Sequence, residues 1–279
     1  MPMQPPRLIA LDLDGTLLPE SKRISPRSLA ALRKMRELGT EVTIATGKFL
    51  HISLDYAREL ELTKPIVALD GARIADAARR EGANQADGLE EVGIGYESAI
   101  EVLTELVEPD WDVFLDDGQD DLLLRSRNPV LARIARVWAD RVHEVDDLLP
   151  SIKGAPGVMV IYAPEAELFP AGDEIGRRFP SMRISRFRSN VLDLARLTLQ
   201  PEGTSKGSGL LSVLERCGIA PDECMVFGDW HNDLPMFEIG AVGVAMANAE
   251  PEIKAAATHV TRETCENDGV AAFLEETFL

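Results

Sequence analysis

Near both ends of this chain a short apolar run breaks off in an acidic, glycine-containing turn and is followed by a helix. Arg7 to Leu11 leads into Asp12-Leu13-Asp14-Gly15, and Met225 to Phe227 leads into Gly228-Asp229. Continuous apolar runs of this length suit strands buried on both faces, which belong to parallel sheets covered by helices. After the first turn a helix is expected from about Ser25, which can cap it. Pro26 fits its first position, Leu29, Leu32 and Met35 recur on one face, and Gly39 ends it. Val42 to Ala45 then runs into Thr46-Gly47, a second helix covers roughly His51 to Leu60, and Ile66 to Leu69 forms a third strand before Asp70-Gly71.

The same alternation resumes late in the chain. A helix is expected from about Lys206 to Cys217, a strand over Met225 to Phe227, a helix to Ile239 and a strand over Val242 to Met246, with two last helices flanking His259-Val260-Thr261. The expected core is therefore a Rossmann-like, doubly wound parallel α/β sheet whose ligands lie beyond the carboxyl ends of its strands. The Asp-bearing turns all lie at those ends.

Between the two halves the rhythm changes. Helices are expected over Glu97 to Val107, Val130 to Val142 and Glu165 to Arg178. Strands are expected over Trp111 to Leu115, Leu122 to Arg125, Val158 to Tyr162, Arg183 to Phe187 and Val191 to Leu194. This pattern predicts an inserted α+β cap domain over residues 84–189, with 1–83 and 190–279 forming the core. Gly82, Asn84, Asp87 and Gly88 supply one crossing, and Pro201-Glu202-Gly203 a turn close to the return.

Composition narrows the partners. A net charge of −18 opposes binding to nucleic acid or an anionic membrane, whose phosphates require clustered Lys and Arg. No apolar run approaches the roughly 18 residues a membrane span needs, and the opening MPMQPPRLIALDLDG lacks the order of a signal peptide. A cytoplasmic protein acting on a small molecule is expected. The three cysteines, Cys217, Cys224 and Cys265, form no C-x-x-C pair and read as buried, reduced thiols.

Asp12-Leu13-Asp14-Gly15-Thr16, alone, could be a solvated turn. Three further stations follow it in order: Thr46 at the end of the second strand, Lys206 in Gly203-Thr204-Ser205-Lys206-Gly207, and Gly228-Asp229-Trp230-His231-Asn232-Asp233. Together these resemble the four motifs of the haloacid dehalogenase superfamily. An insertion between the second and third stations resembles its class with a large cap. Ala245-Met246-Ala247-Asn248-Ala249 and Asn267-Asp268-Gly269-Val270-Ala271 are similar to closing segments of the Cof-type sugar-phosphatase branch.

The resemblance implies a magnesium-dependent phosphatase acting on small phosphorylated metabolites, with sugar phosphates foremost. Asp12 would be the nucleophile that forms an aspartyl-phosphate, and Asp14 the general acid and base. Thr46, Gly47, Lys206 and Asn232 would hold the phosphoryl group. Mg²⁺ would take the Asp12 and Asp229 carboxylates and the Asp14 backbone carbonyl, with Asp233 behind them. The chemistry makes sense of the residue types: a phosphate dianion repels nucleophiles, so its charge has to be neutralised, and Mg²⁺ prefers oxygen ligands. Two other readings stay open: a phosphomutase, and a sensor of phosphorylated ligands that has kept the fold without catalysis.

Lys48 stands where many relatives carry Arg, and Asp70-Gly71 where Asn-Gly is common. Trp230 and His231 are left outside catalysis. Arg186 and Arg188 share a strand face and could meet an anionic substrate or protect a sheet edge. Asp116, Asp117, Asp120 and Asp121 around Gly118 fail the spacing of a calcium loop and read as a solvated hairpin.

Overall fold

The computed structural model describes residues 3–79, 89–188 and 193–279. The chain divides into two units. The first gathers the described residues of Met1–Gly47, Ser53–Glu90 and Ser205–Leu279, and the second those of Lys48–Ile52 and Glu91–Thr204.

The first unit is built on a parallel sheet of five strands in the order His259–Val260, Val242–Ala245, Cys224–Gly228, Leu8–Leu11 and Glu41–Ile44. Leu8–Leu11 is central and wholly buried, which is why it reads as an unbroken apolar run. Each leucine so buried contributes about 1.5–3 kcal/mol. On one side Leu8, Ala10 and Val226 pack with Leu210, Val213 and Leu214 of helix Lys206–Cys217. Helix Pro26–Glu37 begins as expected, with the Ser25 hydroxyl accepting the Ser28 N–H at 3.0 Å. It packs on the last helix, Gly269–Phe278, where Arg27 meets Glu275 at 2.7 Å.

The third strand differs from expectation. Ile66–Ala68 touches the parallel sheet through one bridge, Ala45 to Val67, and otherwise pairs antiparallel with Arg73–Ala75. Leu69, Asp70 and Gly71 all adopt positive φ, so the chain reverses at once rather than leaving for a helix. Leu89–Glu91 completes this small sheet. Glu90 accepts hydrogen bonds from Ser212 and Arg216 of the first unit.

The second unit carries a six-stranded sheet in the order Met182–Arg188, Ala195–Pro201, Met159–Ala163, Asp112–Asp116, Leu122–Arg125 and Val142–Glu144. All neighbours are antiparallel except the last pair. One face, with Val113, Leu115, Ile161, Leu197 and Leu199, packs on Ala99, Val102 and Leu103 of helix Tyr96–Glu105 and on Leu168 and Ile175 of helix Glu165–Arg178.

Several expectations need correction. Residues 195–201, assigned to the core from the sequence, hydrogen-bond into this second sheet, because Ala195, Leu197 and Leu199 alternate inward with the period of a half-buried strand. The first unit resumes at Ser205, after the Pro201-Glu202-Gly203 turn. The crossing residues Gly82, Asn84, Asp87 and Gly88 lie outside the described residues, as do Val191 and the expected boundaries at 84 and 190. The helix expected to reach Val142 ends at Trp138, and Val142–Glu144 forms a short edge strand instead. Arg186 and Arg188 lie on the edge strand Met182–Arg188 and pair with Asp173 and Glu165.

The acidic hairpin is not solvated: Asp116 and Asp117 are fully buried. All three cysteines are free, but only Cys224 is buried, the others being half-exposed. Among the described residues no helix is long and apolar enough to cross a membrane.

Candidate active site

Asp12 and Asp229 come off neighbouring parallel strands at the same end. The register pairs Leu11 with Phe227, and the Asp12 N–H donates to the Phe227 carbonyl at 3.1 Å. Both carboxylates therefore leave the sheet at its carboxyl edge. The turn between them is possible only with glycine. Gly15 has φ of 81°, and a Cβ there would lie 2.3 Å from Asp229 Oδ2. Beside it the Thr16 hydroxyl donates to Asp229 Oδ1 at 2.8 Å.

Lys206 enters from helix Lys206–Cys217. Ser205 caps that helix through a reciprocal pair with Ser208, which uses the N–H that would otherwise be left unpaired. Gly209 lets the helix close on Val67, whose Cγ1 would lie 2.6 Å from an added Cβ. The lysine is thus committed to the interior and is 1% exposed. Its Nζ donates to Asp12 Oδ1 and to Asp233 Oδ1, each at 2.6 Å. Asp233 is oriented in turn by the N–H groups of Asp229 and Trp230, which donate to its Oδ2 at 2.8 and 3.0 Å.

Of these three carboxylates Asp12 and Asp233 share one ammonium, and Asp229 accepts the Thr16 hydroxyl. Burial, reinforced by Asp233, pushes Asp229 up to about 6. Burial also lifts Asp12 well above the usual carboxylate range, against the pull of Lys206. For Lys206 burial works the other way, but Asp12, Asp233 and Asp70 outweigh it and hold the ammonium protonated. Oxygens of Asp12, Asp229 and Asp233 all lie within 4.8 Å of one another. An all-oxygen, electron-rich cluster short of positive charge fits a hard divalent cation such as Mg²⁺. Asp233 already accepts from Lys206 and two backbone N–H groups, leaving Asp12 and Asp229 with the greater remaining capacity for a cation.

Thr46 is buried, and its carbonyl accepts the Asp70 N–H at 3.1 Å. The Asp70 carboxylate lies against Gly47 and accepts the Asn232 amide at 2.9 Å. Thr46, Gly47, Lys206, Asn232, Asp12, Asp229 and Asp233 all belong to the first unit. Asp14 behaves differently: its half-exposed carboxylate turns to Lys22 at 2.7 Å. The Trp230 side chain is half-exposed, and His231 meets Glu252 at 3.6 Å. Lys48 is buried and groups with the second unit.

Two supporting residues escaped the sequence reading. Thr16 was visible within the first motif but had no assigned partner. Asn248 donates to the Gly15 carbonyl at 2.8 Å and accepts the Cys265 N–H at 2.9 Å, so it ties the Asp12–Thr16 loop to the segment before the last helix. Its only signal was the Ala-Asn-Ala pattern.

The family of haloacid dehalogenase-like hydrolases matches over residues 9–274. The chain belongs to that family. It is a hydrolase whose curated relatives include phosphatases of small phosphorylated metabolites. It is 29% identical to the 5-amino-6-(5-phospho-D-ribitylamino)uracil phosphatase YitU of Bacillus subtilis, with 98% of each chain covered. Identity to the HMP-PP phosphatase of Serratia proteamaculans is 27%, covering 96% of this chain and 94% of that one. Among solved structures, a haloacid dehalogenase-like hydrolase from Bacteroides thetaiotaomicron superposes with a TM-score of 0.80 at 27% identity, covering 98% and 99% of the two chains. A subclass IIB sugar phosphatase shares the fold with a TM-score of 0.76 at 21% identity, over 97% and 98%.

Proposed function

We propose that this protein is a magnesium-dependent phosphatase that hydrolyses small phosphorylated metabolites, sugar phosphates foremost, through a phosphorylated Asp12. The observation that carries this reading is the buried contact of Lys206 with both Asp12 and Asp233, beside Asp229. Lys206 holds Asp12 in one orientation and adds fixed positive charge where phosphoryl oxygens must sit. Mg²⁺, held by the Asp12 and Asp229 carboxylates and the Asp14 carbonyl, would neutralise phosphate charge and act as a Lewis acid.

In the first step an Asp12 carboxylate oxygen attacks phosphorus and the bond to the ester oxygen breaks. Asp14 gives that oxygen a proton, which requires its carboxyl group to leave Lys22. Thr46, the Gly47 backbone and Asn232 bind the transferred group. In the second step Asp14 takes a proton from water as the water oxygen bonds to phosphorus, and the Asp12–phosphorus bond breaks to release inorganic phosphate. Asp233 keeps Lys206 aligned throughout. The relatives named for a phosphoribityl compound and for HMP-PP support a small phosphorylated substrate. We place the protein in the cytoplasm, without nucleic acid or membrane as partner.

The test is release of para-nitrophenol from para-nitrophenyl phosphate, followed by a panel of phosphorylated metabolites, each with Mg²⁺ and with EDTA. Turnover that requires Mg²⁺ is expected. No phosphate release across the panel in the presence of Mg²⁺ would overturn the reading.

A further inference from the structure

A strained stretch of backbone lies beside the site described above, at Leu69-Asp70-Gly71. These residues adopt φ of 47°, 51° and 94° in succession. Left-handed backbone is ordinary for glycine, tolerable for Asp and unfavourable for Leu, so two non-glycine residues in a row are held there by their surroundings. The restraints are visible. The Asp70 N–H donates to Thr46 O, the Ala72 N–H closes on Leu69 O at 3.1 Å, and a Cβ on Gly71 would come within 2.2 Å of the Ser205 carbonyl.

The strained turn places one side chain. Asp70 Oδ1 accepts from Asn232 Nδ2 at 2.9 Å, and its two oxygens lie 3.2 and 3.4 Å from where a Cβ on Gly47 would stand. Its charge also contributes to holding the Lys206 proton. A carboxylate can only accept, so it commits the nitrogen end of the Asn232 amide to itself, whichever way the amide would otherwise turn. An amide at position 70 would not force that choice. The carboxylate also sets a negative charge next to Gly47, one of the residues proposed to hold the phosphoryl group.

We propose that Asp70 is a selectivity residue: it fixes Asn232 and makes the site favour phosphate esters of uncharged alcohols over esters whose leaving group carries a second anionic group. The proposal rests on the reading of Thr46, Gly47 and Asn232 as phosphate holders. Like charges brought together in a partly desolvated pocket repel far more than in bulk water, and salt weakens the effect where solvent reaches it.

The experiment compares the wild-type protein with Asp70→Asn and Asp70→Gly. Asn keeps the shape and tolerates the left-handed backbone; Gly relieves the strain and removes the side chain, so the two variants fail to fold for different reasons if they fail at all. Phenyl phosphate and 4-carboxyphenyl phosphate differ by a single carboxylate. The ratio of their kcat/KM values is expected to shift about tenfold toward the carboxylated ester in both variants at low salt, and less at high salt. An unchanged ratio, or equal slowing of both esters, would overturn the proposal and leave Asp70 a purely structural residue.

Binding of phenylphosphonate and 4-carboxyphenylphosphonate, measured by calorimetry on the same proteins, separates this proposal from the phosphatase reading. If no ester is turned over, the phosphatase reading fails. The relative affinities of the two phosphonates still decide the role of Asp70, by the same tenfold shift or its absence.

Discussion

The molecule contains two acidic turns of similar composition and opposite character. Asp12-Leu13-Asp14-Gly15 opens the first unit, and Asp116-Asp117-Gly118-Gln119-Asp120-Asp121 joins two strands of the second. In the second turn the carboxylates are saturated with donors. Asp116 accepts the N–H groups of Gly118, Asp120 and Gly157, and Asp117 those of Gln119 and Asp121 together with Lys153 at 2.6 Å. Asp120 accepts the N–H groups of Leu50 and His51, and His51 bridges Asp120 and Asp140 with its two ring nitrogens. Those contacts raise the His51 pKa despite its burial. Around Asp12, by contrast, Asp12 and Asp233 share a single ammonium, and Asp229 beside them accepts the Thr16 hydroxyl. Burial alone therefore does not mark a reactive carboxylate. The mark is burial without enough donors, which stores the unfavourable electrostatics that a cation and a phosphoryl group relieve.

That contrast can be broken in four places. Asp12→Asn removes the nucleophile while keeping its shape, and phosphatase kcat is expected to fall by roughly 10³-fold or more with the fold intact by circular dichroism. Near-normal turnover would end the claim that the undersaturated turn is the reactive one. Asp116→Ala should do the reverse. It strands three backbone N–H groups in the interior, so urea unfolding should show a loss of about 3 kcal/mol, with little change in kcat for the folded fraction.

The pH response is the third test. Asp229 holds its proton up to about pH 6 in the folded chain against an ordinary 3.8. Between roughly pH 4 and 6 the folded state is the more protonated, so metal-free stability should fall as pH rises through that window, by on the order of 2–3 kcal/mol. Asp12 adds the same sign. Thermal midpoints recorded in EDTA should decline across the window, and Mg²⁺ should restore them above pH 6; a flat EDTA profile would remove the stored strain. The smallest effect is expected from Thr16→Ala, which deletes one donor to Asp229. Mg²⁺ affinity should change severalfold, corresponding to about 1 kcal/mol, as titrated by calorimetry.

What the sequence determined by itself was local or strictly ordered along the chain. Helices Lys206–Cys217 and Glu165–Arg178 match their expected spans, and Ser25 caps as expected, because capping and period depend on near neighbours. The stations Asp12, Thr46, Lys206 and Asp229 were legible because each sits at a strand end or helix start that its own neighbourhood specifies. Tertiary structure decided everything that depends on which distant group arrives. Lys206 reaches Asp12 across 194 positions of sequence. Asp14 turns to Lys22, Asn248 clasps Gly15, and residues 195–201 join the second sheet because long-range pairing places their partners there. The acidic hairpin looked solvated because a list of residues gives acceptors but not the backbone N–H groups that fold onto them. Asp12 and Asp116 are the same residue type at the end of a buried strand, one parallel and the other antiparallel to its neighbours, and the donors that the fold delivers make one a candidate nucleophile and the other a strut.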